Sequence, residues 1–137
     1  CGTILPSKGK VFISIDDDNK KFILTIVKKL INLNFTIVAT KGTAKFLNYN
    51  NLYVEIINKV KEGGSHIVNA IIENKIDLVI NTTKTQGSIR DSYSIRRTSL
   101  TFNIPYYTTI AGAKVAVDTI EHLKNNNLKV KSLQDLI

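Results

Sequence analysis

The stretch FTIVATKGT, residues 35–43, decides the fold class of this chain. Its first five residues form an apolar run, which is typical of a strand buried on both faces of a sheet. The run stops in a polar turn, and a short helical pattern with Phe46 and Leu47 follows. A strand that ends in hydroxyl side chains just before a helix indicates an open parallel α/β sheet. Helix N-termini at that edge of the sheet bind small anions.

A second strand end repeats the pattern. The apolar run of residues 78–80 is followed directly by Asn81, Thr82 and Thr83. The carboxyl ends of parallel strands meet at one edge of the sheet, so the two polar turns are predicted to build one phosphate or carboxylate pocket.

Strand and helix patterns alternate along the rest of the chain. This alternation predicts a three-layer α/β sandwich with a mainly parallel sheet and Rossmann-like topology. Residues 1–9 are interpreted as a tail or linker and residues 10–137 as one domain. Strands are expected at 10–15, 35–39, 53–57, 77–80 and 104–107. Helices are expected after the acidic run 16–18, from Thr43, and near 66–74, 88–102 and 111–123.

Composition narrows the class of partner. The net charge of +8 over 137 residues favours an acidic small molecule, such as a nucleotide or phosphorylated metabolite. Basic residues are spread out and seldom alternate with aromatics, so nucleic acid is not the expected partner. No apolar run approaches the ~20 residues of a membrane span. Cys1 is the only cysteine, which favours a reducing, cytoplasmic setting. Methionine is absent, and we expect a piece of a longer or processed polypeptide.

The candidate ligand-binding residues are short hydroxyl or amide side chains at strand ends, a glycine between them, and lysines suited to phosphate. Taken singly, each threonine or asparagine is more often a helix cap or turn residue. Their joint placement is what favours a binding site. The set is Ser14, Lys20, Thr40, Gly42, Thr43, Lys59, Asn81, Thr82 and Thr83.

No catalytic residue or metal site is expected in this domain. The chain has no nucleophile elbow and no Walker loop, and His66 and His122 are isolated in sequence. The acidic run 16–18 could in principle hold Mg²⁺, but its place before a helix favours an N-terminal cap. Arg96 and Arg97 lie mid-helix, which favours a surface or interdomain contact over a phosphate grip.

Six segments in order resemble the methylglyoxal-synthase-like domain family, and within it the C-terminal regulatory domain of carbamoyl-phosphate synthase large subunits. The resemblance spans about residues 9 to 137. The segments are KVFISI (10–15) with Lys20, ATKGTA (39–44), NKVKEG (58–63), NTT (81–83), DSYSIRRTSL (91–100) and PYYTT (105–109).

The resemblance implies a five-stranded parallel sheet and an allosteric role for the domain. UMP would bind to it and inhibit the parent enzyme, and IMP or ornithine would bind to it and activate the enzyme. The family's nucleotide positions fall on Ser14, Lys20, Thr40, Thr43, Lys59, Asn81 and Thr83, and its ornithine segment on Tyr106, Tyr107 and Thr108.

The resemblance also implies a parent ligase that makes carbamoyl phosphate from bicarbonate, glutamine-derived ammonia and two ATP, with Mg or Mn. The domain itself carries no cofactor. Its partners would be the synthetase domains of the same subunit and a glutaminase small subunit, in pyrimidine and arginine biosynthesis.

Two positions depart from the family pattern, and one alternative function stays open. The loop 84–88 has one basic residue where some members have an arginine pair, and Tyr107 stands where some have aspartate. The choice of nucleotide and ornithine control are therefore open.

The alternative function is that of a methylglyoxal-synthase-type lyase acting on dihydroxyacetone phosphate. Its glycine-rich, aspartate-containing catalytic loop is not found at 58–64. The longer lysine-containing signature of inosinate cyclohydrolase is also missing.

Overall fold

The computed structural model describes Pro6 and residues 8–57, 67–82 and 86–135; for 86–92 and 127–135 it describes the backbone alone. The strands are β1 (Gly9–Ser14), β2 (Phe35–Ala39), β3 (Glu55–Ile56), β4 (Leu78–Asn81) and β5 (Tyr106–Tyr107). The helices are α1 (Lys20–Asn32), α2 (Lys41–Tyr49), α3 (Ile67–Ile72), α4 (Gln86–Thr101) and α5 (Ile110–Asp135).

The five strands form one sheet in the order β3-β2-β1-β4-β5, and every neighbouring pair is parallel. The chain builds outward from β1 to β2 and β3, then crosses to the other side of β1 for β4 and β5. The strand order therefore reverses between β1 and β4. In open α/β sheets, ligands bind outside the carboxyl ends of the strands at such a switch point.

Hydrophobic residues cover both faces of the sheet and make the predicted three layers. Alternate residues of β1 point to opposite faces, so Val11 and Ile13 pack with α1, α2 and α5, whereas Phe12 packs with α3 and α4. The same alternation separates Ile37 from Val38. The prediction of an α/β sandwich with a parallel sheet is confirmed, and the sheet is wholly rather than mainly parallel.

Asparagine ends each of the first four helices in the same way. Asn34, Asn51, Asn74 and Asn103 each follow the last residue of their helix by two positions and have φ between 57° and 70°. Asparagine is one of the few side chains that tolerates this left-handed conformation, so it terminates helices. The sequence predicted this role for Asn34; the other three show that many asparagines here have a backbone function.

Several boundaries differ from the expected ones. Gly9 belongs to β1, and α2 begins at Lys41 rather than Thr43. β3 and β5 keep two residues each, because only those make ladder pairs with their neighbours. The acidic run enters a 3-10 turn, Asp17–Asn19, that precedes α1. Pro105 directly precedes the edge strand β5, where a missing N–H is tolerated. In the described part of the chain, no helix has the length and hydropathy to cross a membrane.

Candidate functional site

Three strand ends meet at the carboxyl edge of the sheet. Ser14, the last residue of β1, lies between the ends of β2 and β4 and is in register with Asn81. The backbone N–H of Thr40 donates to the carbonyl of Ile13 at 3.3 Å, and that of Thr82 donates to the carbonyl of Ser14 at 2.9 Å. These backbone bonds carry the pairing one residue past the strands, so both polar turns flank Ser14.

A buried cluster of hydroxyl groups joins the first turn to the central strand. Ser14, Thr40 and Thr43 are at most 4% exposed. The Thr40 hydroxyl lies 3.4 Å from the hydroxyls of both Ser14 and Thr43, the long limit of a hydrogen bond. The Thr43 hydroxyl accepts a shorter bond, 3.0 Å, from the N–H of Ile15. Thr43 therefore braces the chain after β1, whereas Ser14 and Thr40 are weakly held and suited to donate to a ligand.

The N-terminus of α2 opens directly beside these hydroxyls. Thr40 occupies the position before the helix with extended backbone, and its side chain makes no capping hydrogen bond. The first intrahelical bond runs from the N–H of Ala44 to the carbonyl of Thr40. The N–H groups of the first turn lack intrahelical partners, and the helix dipole adds positive potential there. This end of α2 is thus suited to an oxyanion.

Lys20 brings a cation to the same place from another helix. It is the first residue of α1, and its Nζ lies 3.8 Å from the point where a Cβ on Gly42 would stand. Gly42 itself lies in the first turn of α2, and its φ is not positive, as Gly9 alone among the described glycines has that conformation. The absence of a side chain at Gly42 therefore serves to keep open the space between α2 and the ammonium, not to permit an unusual backbone.

The second turn is braced by Asp16. The Thr82 hydroxyl donates to Asp16 Oδ1 at 2.5 Å and accepts from the N–H of Asp16 at 3.2 Å. The amide of Asn19 also donates to Asp16 Oδ1, at 2.8 Å. Thr82 is therefore engaged in holding the loop after β1, a structural role.

Among the described residues, no group of three His, Cys, Asp or Glu side chains is placed to hold a metal.

Asn81 connects the site to the edge strand β5. Its Nδ2 donates to the Tyr106 hydroxyl at 3.0 Å. Burial raises the pKa of Tyr106, against the opposing effects of the Asn81 hydrogen bond and the charge of Arg96. The hydroxyl is therefore protonated at neutral pH. Burial likewise raises the pKa of Tyr107, which packs on the opposite face, beside the α1 and α5 core. Thr108 is exposed.

The structure brings together most of the predicted site and leaves some of it untested. Ser14, Lys20, Thr40, Gly42 and Thr43 converge, while Asn81 and Thr82 flank them across β1. Lys59 and Thr83 lie outside the described residues. Sequence reasoning missed the bracing role of Asp16 and the Asn81–Tyr106 bond. Both join residues far apart in the chain, and only strand register reveals them.

Comparison with known proteins decides the family. The family model of the MGS-like domain matches residues 22–108. The chain belongs to the MGS-like domain family. The MGS-like chain is 43% identical over 136 residues to a carbamoyl phosphate synthase large chain from Myxococcus xanthus, covering 99% of this chain and 13% of the relative. It is 46% identical over 134 residues to one from Brucella suis, covering 98% and 12%.

One further relative agrees with this assignment, and a solved structure shares the fold. A carbamoyl phosphate synthase large chain, C-terminal section, from Methanopyrus kandleri is 43% identical over 136 residues, covering 98% of the MGS-like chain and 25% of the relative. The crystal structure of methylglyoxal synthase from Elizabethkingia anophelis superposes with a TM-score of 0.62 at 17% identity, covering 82% of this chain and 79% of that one. At that identity the similarity shows the fold alone. The family resemblance and the MGS-like fold predicted from the sequence are confirmed.

A conservative substitution tests the Asn81–Tyr106 bond of the MGS-like chain. Tyr106→Phe removes the acceptor of Asn81 Nδ2 and keeps the ring, so we expect the free energy of unfolding to fall by about 1–2 kcal/mol. Urea denaturation at pH 7 measures it. Tyr107→Phe is the control, because its partly buried ring lies on the other face and no hydrogen bond to Asn81 is involved. Equal losses in both variants would contradict a specific role for the bond.

Proposed function

We propose that this chain is the allosteric, effector-binding domain of a carbamoyl phosphate synthase large chain and that it binds the phosphate of a pyrimidine or purine nucleotide. Sequence similarity supports the assignment to a larger protein. Almost all of this chain aligns with the large chains from M. xanthus and B. suis, and it spans 12–13% of their length. The other domains of that large chain would be its partners in the same polypeptide.

One observation carries the ligand class. The weakly held hydroxyls of Ser14 and Thr40 lie beside the N-terminus of α2, and the Lys20 ammonium approaches the first turn of that helix at Gly42. Neutral donors, helix-terminal N–H groups and one cation together favour an anion with several oxygens, such as a phosphate monoester. These groups lie at the switch point between β1 and β4, where open α/β sheets bind their ligands.

UMP is the effector we propose first, as an inhibitor, with IMP or ornithine as activators. For ornithine, the candidate residues are Tyr106, Tyr107 and Thr108. The parent protein would be an ATP-dependent, glutamine-hydrolysing ligase that uses Mg or Mn and a glutaminase small subunit and serves pyrimidine and arginine biosynthesis in the cytoplasm. These assignments rest on the family similarity and on the pocket chemistry.

Calorimetry on this chain tests the proposal directly. UMP, IMP and inorganic phosphate are titrated at up to millimolar concentrations, with thermal shifts measured in parallel. We expect heat and stabilisation with at least UMP. No signal with any of the three would overturn the ligand assignment. Formation of methylglyoxal from dihydroxyacetone phosphate would instead favour the lyase alternative.

Two lysines supply the sharpest check on the pocket. Lys20→Ala and Lys59→Ala are each expected to weaken UMP binding by about 1.5–3 kcal/mol, the scale of a charge-assisted hydrogen bond. For Lys20→Ala, stability should change little, because an ion pair with an exposed carboxylate such as that of Asp17 contributes about 0–1 kcal/mol. Lys21→Ala is the control: Lys21 is adjacent in α1, but its Nζ lies over the Phe22 ring, 5.0 Å from the centroid. If either variant bound UMP as tightly as wild type does, the lysine replaced in it would not belong to the binding site.

A further inference from the structure

An acidic side chain contacts the cation of the proposed pocket. Asp17 Oδ1 lies 2.5 Å from Lys20 Nζ. The two partners differ in exposure: the Lys20 side chain is 20% exposed, whereas that of Asp17 is 92% exposed. The Lys20 side chain is therefore mostly covered, whereas the hydrogen bond between the ammonium and the Asp17 carboxylate is exposed to solvent.

The same ammonium faces the first turn of α2. Its distance of 3.8 Å from a Cβ position on Gly42 means that an oxyanion bound to the N–H groups of that turn would contact Lys20. A bound anion and the Asp17 carboxylate would then share one ammonium and lie within a few ångströms of each other. Two like charges that close repel each other, so each weakens the hold of the other on Lys20.

We infer that Asp17 is an affinity-determining residue of this pocket: its carboxylate competes with the incoming anion for Lys20 and thereby lowers affinity. The inference rests on the proposed function.

The neighbouring charges do not share this role. The Asp16 carboxylate is engaged with Thr82 and Asn19. Asp18 makes no ion pair with a described side chain and provides a matched control, because Asp18→Asn removes the same formal charge one residue away. Lys41, in the first turn of α2, adds positive charge near the same end of the helix. Its contribution is common to all variants compared.

The test compares wild type, Asp17→Asn, Asp17→Ala and Asp18→Asn by calorimetry with UMP and with inorganic phosphate. At low ionic strength we expect both Asp17 variants to bind about two- to fivefold more tightly than Asp18→Asn, the scale of an exposed ion pair. The gain should shrink at 0.5 M salt, where screening acts over roughly 4–5 Å. Thermal unfolding without ligand confirms that each variant is folded.

The possible outcomes separate this inference from the proposed function. If wild type binds UMP but the Asp17 variants bind no more tightly than Asp18→Asn, Asp17 does not compete and the inference is wrong while the function stands. If the Asp17 variants bind more weakly, Asp17 positions Lys20 instead, which also overturns it. If no folded variant binds UMP or phosphate, the proposed function and the inference both fail.

Discussion

Replacing Gly42 with valine is expected to abolish nucleotide binding and leave the domain folded. Gly42 sits in the first turn of α2 with a negative φ, and a Cβ there meets only Lys20 Nζ, at 3.8 Å, an ordinary contact distance. The backbone therefore accepts a side chain. The branched valine would occupy the space between the helix N-terminus and the ammonium, which is where the phosphate oxygens of the ligand would lie. We expect at least a hundredfold loss of UMP affinity, about 2.7 kcal/mol or more.

Gly42→Ala distinguishes a glycine kept for the ligand from one kept for the fold. Alanine favours helix over glycine by about 0.5–1 kcal/mol, so this variant should be as stable as wild type or slightly more stable. Its methyl group still intrudes on the pocket, and UMP affinity should fall. If Gly42→Ala binds UMP as tightly as wild type does, the ligand does not use the space beside Gly42.

On the proposed function, Gly42→Val in the full-length synthase should keep carbamoyl phosphate synthesis and lose the response to UMP. Allosteric control is a coupling free energy between separate sites, so loss of effector affinity need not damage the chemistry. Steady-state rates with and without UMP measure both properties. Intact UMP inhibition would place the effector site elsewhere. Loss of basal synthesis in a folded variant would show that this turn does more than regulate.

Gly9→Ala is expected to have the largest effect on stability. Gly9 opens β1 with φ of 127°, and a Cβ there would stand 1.8 Å from Asp77 Oδ2. Asp77 cannot move freely, because its Oδ2 accepts from the N–H of Lys10 at 2.9 Å and its own N–H donates to the Lys10 carbonyl at 2.8 Å. Backbone strain and overpacking together should lower the free energy of unfolding by about 2–4 kcal/mol.

Urea denaturation of Gly9→Ala beside the exposed neighbour variant Lys8→Ala measures this loss. Adding Asp77→Ala to Gly9→Ala removes the clash but keeps the unfavourable φ and gives up the Lys10 hydrogen bond. The double variant should therefore recover at most part of the stability. A Gly9→Ala protein as stable as Lys8→Ala would mean that the entry to β1 adjusts without cost.

The sequence predicted the parallel sandwich because each buried strand and each following helix leaves a local pattern. The run 35–39 and its polar turn are such a case, and β2 matches it residue for residue. Strand lengths at the sheet edges were less predictable, since residues 53–57 are an apolar segment of which only Glu55 and Ile56 pair. How many residues pair there depends on the position of the neighbouring strand β2, and the local sequence of residues 53–57 carries no information about that position.

The sequence predicted which candidate residues lie at the strand ends, but not which contacts each of them makes. Hydroxyl residues at strand ends identified Ser14 and Thr40, yet nothing local distinguishes them from Thr82, whose hydroxyl is engaged with Asp16 sixty-six positions away. The closeness of Lys20 to Gly42 likewise depends on how α1 and α2 pack side by side. Contacts of this kind follow from tertiary register, which one sequence read along its length does not reveal.

The proposed pocket is assembled from the ends of β1, β2 and β4, which the sheet and the backbone bonds flanking Ser14 hold side by side. Ser14, Lys20 and the N-terminus of α2 lie on separate segments, so they no longer face one another once the sheet opens. Ligand binding and folding of the domain are therefore linked equilibria: an effector at a hundred times its dissociation constant would stabilise the native state by about 2.7 kcal/mol. On the proposed function, the nucleotide that sets synthase activity also sets how often this domain unfolds and becomes open to proteolysis.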